Sequence, residues 1–146
     1  MDPAYEMIFS LLTSLRFTNN DSETYFWKHL SGLIPDDPAR EAACYMLINL
    51  PHFEDLLTKW IDQEVFPDLG ELRKLPEYKS LDRDQKLMAE AALSLLAGKG
   101  GPDYTELLGI SNDTLREVFL GAMRIATIRS TLKQVARKKK GISKDL

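Results

Sequence analysis

The run Ala42-Ala43-Cys44-Tyr45-Met46-Leu47-Ile48 constrains the fold of this chain more than any other stretch. It follows Asp37-Pro38, an acid able to accept from the free amides of a first turn, then a proline whose fixed φ suits the first helical position. The spacing predicts a helix from Pro38 through Asn49 that is apolar nearly all round. Such a helix persists in water only when other elements surround it. A central helix enclosed by helical neighbours is therefore expected.

The neighbours carry the same period. Tyr5, Ile8, Phe9, Leu12 and Leu15 form one stripe of a helix from about Ala4 to Phe17, closed by Asn19-Asn20. A second helix starts after Asp21 or Ser22 and stops before Pro35. Pro51 opens another, with Phe53, Leu56, Leu57, Trp60 and Ile61 on one face, and Pro67 stops it. The stretch Asp68 to Leu81, interrupted at Pro76, reads as a short helix plus loop. Asp82 and Gln85 have the spacing of a capping box ahead of the stripe Leu87, Met88, Ala91 and Leu95, with Gly98 as the C-terminal exit. After the flexible linker Gly98-Lys99-Gly100-Gly101-Pro102 come a short helix, Tyr104 to Leu108, and a long one from Asn112 or Asp113. No strand-like alternation competes. The expected fold is all-α: one compact bundle-like domain over residues 1–136 of roughly seven or eight helices, ending in a basic C-terminal helix, with a basic tail at 137–146 expected to be disordered.

A chain of 146 residues builds a core without disulfide or metal staples, and its single cysteine, Cys44, excludes an intrachain disulfide. The N-terminus is acidic where a secretory signal would be positive. The longest uncharged apolar run, Ala42 to Leu50, is under half of the roughly 20 residues a membrane span needs. The expectation is a cytoplasmic protein with no membrane span. Its net charge of −3 hides an asymmetry. Residues 1–123 hold 11 Lys/Arg against 21 Asp/Glu, whereas residues 124–146 hold 8 Lys/Arg against the single acid Asp145. The body repels polyanions and the tail attracts them.

The segment 104–123, with Leu108-Gly109-Ile110-Ser111 between a short and a long helical pattern, resembles a helix-turn-helix DNA-binding motif. Gly109 stands where that turn uses a permissive backbone; Leu108, Ile110, Leu115 and Val118 stand where the two helices pack. The resemblance implies that Asn112 and Arg116 face nucleic acid. Three residues depart from the pattern. Thr105 replaces a usual alanine or glycine, and Asp113 and Glu117 put acids on the groove side, where phosphates oppose them. A helical corner shaped by packing alone would produce the same residues.

Arg129, Lys133 and Arg137 recur every four positions, which places them on one helix face, and Arg137-Lys138-Lys139-Lys140 forms a block. With Asn112 and Arg116 they make up the candidate nucleic-acid-binding set. Cations also suit any helix C-terminus, so a merely solvated end explains them too.

No catalytic or metal constellation emerges, and no cofactor is expected. His29 reads as a packing residue. His52 and Asp55 are three apart but designate no further ligand. Cys44 lies in the most apolar helix, where burial makes a thiol inert. In Tyr25-Phe26-Trp27 the three rings cannot share one helix face. Either the helix packs on two sides or a ring is exposed, which makes Tyr25 and Trp27 candidate partner contacts. The function expected is a small non-enzymatic binding or regulatory module contacting a polyanion, nucleic acid or an acidic protein. The alternative is a protein–protein adaptor or a helical homo-oligomer without nucleic-acid binding.

Overall fold

The computed structural model describes residue 6 and residues 15–30, 37–97 and 102–127, and among them every regular element is a helix. The elements are α1 (Asn20–Tyr25), α2 (Pro38–Ile48), α3 (Glu54–Gln63), α4 (Leu69–Lys74), α5 (Pro76–Lys79), α6 (Arg83–Ala97), α7 (Tyr104–Leu108) and α8 (113–127). They pack as an all-α, bundle-like domain. No helix among the described residues is long and apolar enough to cross a membrane. The expected helix ending at Phe17 lies outside the described residues except at its end. The linker 98–101 and the basic residues beyond 127 also lie outside them.

Helix α2 is the centre. Asp37 Oδ1 accepts from the Arg40 amide at 3.1 Å, Pro38 takes the first position, and every residue from Glu41 to Leu50 is buried. It packs against α6 and α3. A buried helix end must satisfy its last carbonyls from side chains. Here Ser22 Oγ donates to the Ile48 carbonyl at 2.8 Å, Asn49 Nδ2 to Tyr45 at 2.8 Å, and Thr18 Oγ1 to Asn49 at 3.0 Å. Tyr45 also donates its hydroxyl to the Arg16 carbonyl, and its ring meets Phe17 edge-on at 5.5 Å.

Helix α8 also packs into the core, burying Leu115, Val118, Phe119, Ala122 and Ile125. At Gly121 a Cβ would stand 3.1 Å from Tyr45 Oη and 3.2 Å from Leu15 Cδ2, so α8 packs tightly on Tyr45 here and a larger residue would require those side chains to give by a few tenths of an ångström.

Several boundaries differ from the sequence reading. Asn19 does not close a helix: its Oδ1 accepts from Ser22 at 2.8 Å and caps α1, which then widens into a π-helical turn, Phe26–Leu30. Pro51 opens a turn rather than a helix, because His52 adopts a left-handed φ of 66° that no helix continues. Helix α3 therefore begins at Glu54. It ends at Glu64, left-handed at φ 56°, where the Val65 amide reaches back to Trp60 at 3.1 Å; Pro67 lies beyond that stop. Pro76 starts α5 instead of breaking α4, since a proline at the first position loses no helical bond. The capping box holds in both directions, Asp82 Oδ1 to the Gln85 amide at 2.8 Å and Gln85 Oε1 to the Asp82 amide at 2.9 Å.

Candidate functional site

The helix-turn-helix-like segment folds as two helices joined by a corner. Leu107, Ile110, Leu115 and Val118 are its buried contacts, while Leu108 is 54% exposed. The packing position is thus Leu107, one residue earlier than the motif suggests. Gly109 has φ −82° and ψ 3°, an ordinary conformation for any L-residue, and an added Cβ would sit at van der Waals distance. The corner does not depend on a left-handed glycine.

Asn112 caps α8, its Oδ1 accepting from the Leu115 amide at 3.1 Å. Arg116 turns back onto its own corner. Its guanidinium donates to the Ile110 carbonyl at 3.2 Å and pairs with Asp113 at 2.6 Å. The acid that departs from the DNA-binding pattern is thus the arginine's partner. Across the corner stands Asp84, from the first turn of α6, whose Oδ2 accepts from Ser111 Oγ at 3.1 Å and from the Asn112 amide at 3.3 Å. The start of α8 is therefore already faced by a carboxylate, the charge a helix N-terminus favours.

Arg129, Lys133, Arg137, Lys138, Lys139 and Lys140 lie outside the described residues. Helix α8 is described to residue 127, with Arg124 exposed near that end.

The aromatic triplet divides three ways. Phe26 is fully buried, Tyr25 is half-buried with its hydroxyl against Thr58 Oγ1, and Trp27 is 38% exposed, its ring 6.2 Å from Phe17. Tyr25 also lies against the exposed His29, ring centroids 4.8 Å apart. His52 and Asp55 border an open cleft of about 700 Å³ together with Asp21, Glu54 and Lys59. Among the described residues no three His, Cys, Asp or Glu side chains gather as a metal ion would require. Burial pushes the Cys44 thiol up to about 12, against a weaker downward pull from Arg40.

A second, polar groove of about 350 Å³ runs between the turn after α2 and the starts of α1, α6 and α8. Residues from four separate segments line it, including Asn19, Asn49, Gln85 and Asn112. Sequence reasoning missed this assembly and the role of Asp84. Asn19 and Gln85 carried only local capping or turn readings and Asn112 a nucleic-acid reading, and only tertiary packing brings them together. Comparison with known protein families, curated proteins and solved structures yields no match to this chain.

Proposed function

We propose that the protein is a non-enzymatic cytoplasmic binding module that engages a polyanion, nucleic acid first and an acidic protein second, through the cations from Arg129 to Lys140. The observation that carries this reading is charge segregation on a rooted helix. Residues 1–123 hold 21 acids, the segment from Arg124 holds 8 cations, and the helix leading into that segment is anchored by the fully buried Ala122 and Ile125. An acidic body discourages phosphates everywhere except at that end. Asn112 and Arg116 support the contact only if Arg116 leaves Ile110 and Asp113, so the tail carries the main share.

The test is fluorescence anisotropy with duplex DNA, single-stranded DNA and RNA across a salt series. It compares the full chain with a variant in which Arg129, Lys133, Arg137, Lys138, Lys139 and Lys140 are all changed to Gln. Truncation after residue 123 is the poorer variant, because it would also remove the buried Ile125. Four to six phosphate contacts predict a log–log salt slope of about −0.9 per contact on duplex, lost in the variant. Equal binding by both proteins would discard the proposal.

One observation favours the adaptor reading: the exposed edge of Trp27 beside Phe17 offers an aromatic contact to a protein partner or a second copy. Association that survives high salt and disappears in Trp27→Ala would select it.

A further inference from the structure

We draw no further inference here: the strongest candidate, the open cleft of about 700 Å³ that Asp21, Glu54, Asp55 and Glu77 line beside Lys59, is a surface cluster of carboxylates with a lysine among them, and nothing in the structure shows what would occupy it.

Discussion

Asp84 and Ser111 stand 27 positions apart, yet the Asp84 carboxylate accepts the Ser111 hydroxyl at 3.1 Å, and the same oxygen takes the Asn112 amide at 3.3 Å. One side chain in the first turn of α6 thereby satisfies the residues that open α8. Asp84→Ala should lower unfolding free energy by about 1 kcal/mol, the usual worth of such bonds. It should also speed hydrogen exchange at the Asn112 amide. Urea denaturation and exchange rates identical to the parent would show that the contact contributes nothing.

Arg116 is spent on its own corner, bonded to Ile110 and paired with Asp113. Its ion pair is solvent-exposed and worth little, so Arg116→Ala should cost about 0.5–1 kcal/mol, chiefly through the lost carbonyl bond. Duplex affinity in that variant should stay within about twofold of the parent, because phosphate contacts come from the tail. A large loss of affinity with sequence preference erased would restore base reading to α8.

Glu64 ends α3 in the left-handed conformation, with the Val65 amide closing onto Trp60 at 3.1 Å. Glycine adopts that conformation without a Cβ clash, so Glu64→Gly should raise stability by about 0.5–1 kcal/mol despite the greater freedom of the unfolded chain. A drop in melting temperature would mean that the turn is held by contacts of the Glu64 side chain.

The thiol of Cys44 is 3% exposed, and burial pushes it up to about 12, well above its ordinary value. The sign follows from proton binding: above pH 9 the unfolded chain releases this proton while the native one keeps it. Stability is therefore full below pH 9 and falls as pH rises toward 12. The slope from this one group is about 1 kcal/mol per pH unit. Tyr45, raised by the same burial, adds to it at the upper end of that range. Cys44→Ala should flatten the curve between pH 9 and 10, measured by urea midpoints. Native protein should also resist a thiol-specific reagent at pH 8 and react only at the rate of opening.

The central helix was legible in the sequence because its signals are local: Asp37-Pro38 at its start and an unbroken apolar run within. The capping box at Asp82 and Gln85 was legible for the same reason. Asn19 was misjudged because an asparagine can close one helix or open the next, and its side-chain bond decides which. His52 and Glu64 were missed because neither residue type announces a left-handed backbone. Gly121 could not be read at all. The tight space at its Cα arises from Tyr45, far away in sequence and adjacent only after packing. The groove shares that origin, since its carboxamides belong to segments that meet only in the folded chain.

Helix α8 closes the core with Val118, Ala122 and Ile125. All three of those side chains are 0% exposed, so residues 118–125 cannot lift away from the domain one turn at a time. Prising Ile125 out from beneath its neighbours would open the core itself, which makes this helix the keystone of the domain.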